Sequence, residues 1–152
     1  DEGKHVTWIP SYGPEMRGGT ANCTVVISDD EIGAPTALHP TAVIAMNLPS
    51  LDKYEPMIKP GGYLVVNENM VNREAVRDDI HVLMVPASTI AQEIGNERAA
   101  NMVLLGALEG NMHLLKEGAL ERALEDHTAA RLKKFIAMNI EALHRGAEYL
   151  AA

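Results

Sequence analysis

Short apolar runs recur along this chain at strand length, separated by helix starts and Pro/Gly stops, and this constrains the fold more than any other feature. Val25-Val26-Ile27 lies inside Ala21–Ser28, Thr41–Asn47 reads Thr-Ala-Val-Ile-Ala-Met-Asn, and Tyr63–Asn67 and Ile80–Val85 follow. Continuous rather than alternating apolarity is the mark of strands covered on both faces, as in a parallel or mixed sheet between helices. Pro49-Ser50 opens a helix across Leu51–Ile58, Lys59-Pro60-Gly61-Gly62 stops it, and Ala87–Ile94 follows the strand closed by Pro86. The expected fold is α/β: an open, mainly parallel sheet flanked by helices, with a helical C-terminal segment.

The remaining elements complete that expectation. Lys4–Pro10 is β-rich and ends at Pro10. Ser28-Asp29-Asp30-Glu31 fits a capping box before a brief helical turn closed by Gly33 and Pro35; its acids complement a helix dipole or, alternatively, ligate a metal. Gly95 reads as a helix C′ residue and Asn96 as the next N-cap, opening a helix from Glu97 to about Met112 that is apolar nearly all round. Gly106 and Gly110 lie one turn apart on it and call for close backbone packing, within the chain or across a subunit contact. Ala119–His127 is a short helix. Thr128 can cap a longer amphipathic one through Tyr149, with Leu132, Ile136, Ile140, Leu143 and Ala147 on its apolar face.

Composition removes several function classes. A chain of 152 residues is long enough for one domain with a real core. A net charge of -8 without a basic stripe argues against a nucleic-acid surface. The longest apolar region, Ala99–Leu108, falls short of the roughly 20 residues that span a bilayer, so no membrane partner is expected. Cys23 is the one cysteine; it cannot by itself hold an iron–sulfur cluster, and a chain so poor in Cys fits a reducing cytoplasm. The start, Asp1-Glu2-Gly3-Lys4, is acidic and polar, unlike a secretory signal. It lacks Met, which is compatible with processing or with a piece of a longer polypeptide.

The densest chemistry is in Tyr12-Gly13-Pro14-Glu15-Met16-Arg17-Gly18-Gly19, between two strands. Gly18-Gly19 permits close backbone approach, and Arg17 offers a planar fork for a carboxylate or phosphate. Two readings stand: a contact site, or a turn in which Glu15 pairs locally with Arg17. Asn47 and Asn67 end two strands at the edge where open α/β sheets bind ligands, and each can equally cap the following backbone. The six histidines show no three- or four-residue spacing, and no nucleophile elbow or phosphate-binding loop is present. The carboxylates scatter over helix faces. No catalytic residue or metal site is assigned from these residues alone.

Ser11–Gly19 with Thr20-Ala21-Asn22-Cys23 resembles the signature of the gamma subunit of 2-oxoacid:ferredoxin oxidoreductases. The resemblance continues through Ser28–Pro35, Ala45-Met46-Asn47-Leu48-Pro49-Ser50, Lys59-Pro60-Gly61-Gly62, Pro86-Ala87 and Ile94–Gly106, and fades in the C-terminal helices. It implies one gamma α/β domain over residues 1–152 in a cytoplasmic complex that converts a 2-oxoacid and coenzyme A to acyl-CoA and CO2, with electrons passed to ferredoxin. It places thiamine diphosphate, Mg and iron–sulfur clusters on partner chains, alpha and beta with delta as a further candidate. This chain would assist assembly and CoA access. Apart from the resemblance, a homodimer is one candidate state of the isolated chain. Tyr12, Glu15, Arg17, Gly18 and Gly19 would lie at or near a subunit boundary, with Asn47 and Asn67 as further cofactor or interface candidates. The family's opening strand and Gly-Gly-Gln-Gly turn have no counterpart here. The alternative reading is a stand-alone nucleotide- or acyl-CoA-binding module.

Overall fold

The computed structural model describes residues 3–14 and 19–150. The chain divides into two compact units, Asp1–His39 and Pro40–Ala152.

The first unit is a hairpin of β1 (His5–Tyr12) and β2 (Ala21–Ser28), antiparallel in a register running from His5 opposite Ser28 to Tyr12 opposite Ala21. The Gly13 amide donates to the Thr20 carbonyl at 2.6 Å, and Lys4 pairs with Asp29. Three expectations fail here. β1 does not end at Pro10 but runs on to Tyr12, because a two-stranded ribbon is all edge and tolerates a residue without an N–H. β2 is not covered on both faces: Val25 and Ile27 are exposed while Val26 between them is half-buried, since among the described residues no further strand or parallel neighbour flanks this ribbon. Ser28 starts no helix. Its Oγ accepts from the Asp30 amide at 3.0 Å in a local turn, and Gly33 and Pro35 arrive before a helix could nucleate.

The second unit holds the parallel sheet, in the order β3 (Ala42–Ala45), β4 (Tyr63–Asn67), β5 (His81–Val85). Leu64, Val65 and Val66 of the central strand are fully buried. Side-chain alternation sends Val65 to one face, against Leu83, Val85 and the helices α2 (Ala87–Ile94) and α3 (Ala100–Met112). Leu64 and Val66 go to the other, with Ala45, Leu51 of α1 (Leu48–Tyr54) and Ile58. α1 is shorter than expected, giving way at Pro56 to the 3-10 turn Glu55–Met57.

Gly95 closes α2 at φ 86°, as the sequence predicts. Asn96 supplies no side-chain cap, and the helix expected from Glu97 begins as a 3-10 turn before α3 takes over at Ala100. After α4 (Ala119–His127), Thr128 closes that helix rather than opening the next. A 3-10 stretch, Ala130–Phe135, precedes α5 (Ile136–Ala147). Its three-residue turn breaks the 3.6-residue row, leaving Leu132 exposed, so the docking face starts at Ile136.

α3 and α5 cross at backbone contact. Gly106 faces the Leu143 carbonyl, Gly110 the Ala147 carbonyl, and Gly146 the Val103 carbonyl. The close packing expected of Gly106 and Gly110 is thus within the chain, and Gly146 on the opposing helix completes it.

Candidate functional site

Parallel strands end together, and here β3, β4 and β5 bring Asn47, Asn67 and the start of α2 to one edge of the sheet. Asn47 is the N-cap of α1, its Oδ1 accepting from the Ser50 amide at 3.1 Å. Asn67 is 2% exposed. Its Nδ2 donates to Ser88 Oγ at 3.0 Å. Asn69 Oδ1 accepts from the amides of Ser88 at 3.0 Å and Thr89 at 3.2 Å, and Asn69 Nδ2 donates to Thr89 Oγ1 at 3.0 Å.

This arrangement has a local cause. α2 begins after Pro86, which has no side-chain acceptor for the free amides of the first turn. The turn after β4 supplies those acceptors from across the edge. Asn69, Ser88 and Thr89 were not singled out from the sequence. The available signal was the pair of Asn residues flanking Glu68, combined with a helix start whose N-cap is proline. At this edge the strand-end Asn side chains are engaged in caps, which gives the edge a fixed polar rim.

The signature loop is framed by Tyr12, which is 75% exposed at the end of β1, and Gly19 before β2. Glu15, Arg17 and Gly18 lie outside the described residues, so their expected roles rest on sequence.

The carboxylates are not all solvated on helix faces, contrary to expectation. Glu55 is 1% exposed. Its Oε1 accepts from the amides of Val76 at 2.6 Å and Arg77 at 3.0 Å, and its Oε2 pairs with Arg73 Nη1 at 2.9 Å. Arg73 also bonds Asp52 at 2.7 Å and 2.9 Å, and Arg77 forks onto Asp79. Hydrogen bonds to Asp52 first, and then to Glu55, raise the Arg73 guanidinium above its ordinary range; the fork from Arg77 holds Asp79 below the ordinary carboxylate range. With both oxygens of Glu55 occupied, this cluster pins the Val71–Arg77 segment rather than offering a free acid or base.

A cleft of about 380 Å³ opens between α3, α4 and α5. Glu109, His113, Lys116, Glu121 and His144 line it, with His144 Nε2 at 2.7 Å from Glu121 Oε1. That contact holds the Glu121 carboxyl below its usual range. The donor set of this chain does not fit an iron–sulfur cluster, because Cys23 is its one thiol. Among the described residues no group of three or more His, Cys, Asp or Glu could hold a metal ion, and no helix is long and apolar enough to cross a membrane.

The whole chain has relatives. It is 37% identical over 149 residues to ketoisovalerate oxidoreductase subunit VorA of Methanothermobacter thermautotrophicus, covering 97% of this chain and 31% of that one, so it spans under a third of that relative's length. It superposes on a keto/oxoacid ferredoxin oxidoreductase gamma subunit from Geobacter sulfurreducens at a TM-score of 0.76 and 29% identity, over 96% of this chain and 80% of the other. It shares its fold, at a TM-score of 0.78 and 23% identity over 96% of this chain and 26% of the other, with a Magnetococcus marinus 2-oxoglutarate:ferredoxin oxidoreductase bound to 2-oxoglutarate, coenzyme A and succinyl-CoA. The family model described as pyruvate ferredoxin/flavodoxin oxidoreductase matches residues 1–149. From the signature loop through the parallel sheet to the glycine-packed C-terminal helices, this chain belongs to the pyruvate ferredoxin/flavodoxin oxidoreductase family.

Proposed function

We propose that this chain is the gamma component of a 2-oxoacid:ferredoxin oxidoreductase. The reaction takes a 2-oxoacid and CoA to acyl-CoA, CO2 and a proton, and passes two electrons to ferredoxin. The observation that carries the reading is a family match from residue 1 to residue 149 together with the superposition of 96% of the chain on a gamma subunit. Thiamine diphosphate, with Mg, supplies the decarboxylation chemistry and iron–sulfur clusters the electron path; both belong to the alpha and beta partners, with delta as a further one. The chain's own residues supply a surface. Tyr12, Glu15, Arg17, Gly18 and Gly19 form the loop that meets a neighbouring chain and borders the route of CoA, Arg17 offering its guanidinium to an anionic group. Within the second unit, the capped edge at Asn47 and Asn67 holds the strand ends and the start of α2 rigid. The assembly acts in the cytoplasm.

Reconstitution tests this. The purified chain alone, given 2-oxoacid, CoA and an electron acceptor, turns nothing over; adding the partner chains restores CoA-dependent reduction. Arg17→Ala keeps the circular dichroism of the parent and weakens assembly or CoA-dependent turnover. Decarboxylation by the isolated chain contradicts the division of labour, and unfolding of Arg17→Ala makes Arg17 a structural residue.

A further inference from the structure

The β1–β2 hairpin carries one face without a single charged side chain. Its antiparallel register sets Val6 beside Ile27, Trp8 beside Val25, Pro10 beside Cys23 and Tyr12 beside Ala21, and directly opposed residues share a face. Val6, Trp8, Tyr12, Val25 and Ile27 are 59%, 62%, 75%, 52% and 44% exposed. A two-stranded ribbon is marginal in water by itself, and a contiguous apolar face of this extent marks an interaction surface.

We propose that this face packs on the same face of a second copy of this chain. Shape points to it first. The bulky Trp8 and Tyr12 lie on β1, and the smaller Val25 and Ala21 lie opposite them on β2. A two-fold axis parallel to the strands lays β1 of each copy over β2 of the other. Trp8 then covers the partner's Val25 and Tyr12 covers the partner's Ala21, with the ribbons about 10 Å apart as in a sandwich. Area is adequate. The five exposed side chains offer on the order of 600 Å² per copy, and Pro10, Ala21 and Cys23 extend this toward the ~800 Å² per partner of a standard interface. Trp8 at the middle of the face and Tyr12 at its end are the aromatic anchors of such a contact.

Trp8 is the only tryptophan, so its emission reports this face directly. The full chain is followed by sedimentation equilibrium and tryptophan emission from about 1 to about 100 µM. The mass should rise from 16.5 kDa toward twice that value, with the emission shifting to the blue in step. Val25→Glu, which keeps the reporter, and Trp8→Glu should each weaken association at least ~10-fold, one decade of affinity. Val76→Glu, at a 78% exposed position outside the hairpin, should leave it unchanged. The proposal is overturned by a monomer throughout, by a dimer whose emission does not shift, or by a folded Val25→Glu that associates like the parent. It is equally overturned if this face binds the larger oxidoreductase chains while copies of this chain stay apart.

Discussion

Gly106 of α3 faces the carbonyl of Leu143 on α5 so closely that a methyl group has no room between them. The same holds in reverse where Gly146 of α5 meets the Val103 carbonyl. Two helices thereby approach at backbone distance, and the C-terminal helix docks on the layer that covers the sheet. Gly106→Ala or Gly146→Ala should lower stability by about 3 kcal/mol, the upper part of the overpacking range, because backbone rather than a flexible side chain must move. Gly110→Ala should cost less, its added carbon lying 2.7 Å from the Ala147 carbonyl oxygen. Gly33→Ala, with open space around it, should stay within about 0.5 kcal/mol. Chemical denaturation of the four proteins checks the order.

Glu55 should be the costliest carboxylate to remove. Glu55→Ala strips acceptors from the Val76 and Arg77 amides and one partner from Arg73. The loss should be about 2–4 kcal/mol, since unpaired buried amides carry most of it while Arg73 keeps Asp52. Glu55→Gln retains one acceptor oxygen and should lose about half as much. Amide exchange at Val76 and Arg77 should accelerate in both variants.

The caps at the sheet edge are separable. Asn47→Ala should cost about 1 kcal/mol and Asn47→Gly a few tenths, as for an ordinary N-cap. Asn69→Ala removes the acceptor shared by Ser88 and Thr89 and should cost about 1–2 kcal/mol, with α2 fraying from its first turn. Helix-resolved hydrogen exchange distinguishes the two sites.

Acid should loosen α4 from α5. The hydrogen bond from His144 depresses the Glu121 pKa in the folded state, so the pair's contribution is complete above the ordinary carboxylate range near 4.5. It is lost as pH falls through the lower, folded value. In His144→Ala, a carbon-detected titration of the Glu121 carboxyl should move up toward that ordinary value. An unmoved titration would assign the depression to another neighbour.

Much of the parallel sheet was legible because β4 is buried on both faces and β5 is apolar on both, buried at Leu83 and Val85 and half-buried at Val82 and Met84, so both read as unbroken apolar runs, bounded by Pro60, Gly61 and Pro86. The same sign misled at Val25-Val26-Ile27, where the ribbon's pairing, and not apolarity, decides how many faces are covered. Gly106 and Gly110 announced close packing, but their partner, Gly146, is visible only once α5 is placed. Asn47 and Asn67 were found as strand ends. Their use as caps depends on Ser50 and Ser88, three and 21 residues away. Glu55 looked like any helix-face acid; only the return of the Val71–Arg77 segment over it makes it buried.

The most direct test of the central claim is isolation of this chain from its native source with identification of every chain that accompanies it. The account predicts recovery with a thiamine-diphosphate-binding chain and a cluster-binding chain, in a complex that oxidises a 2-oxoacid in the presence of CoA. Recovery alone, or with copies of itself and nothing else, would contradict it and leave family membership without the assembly.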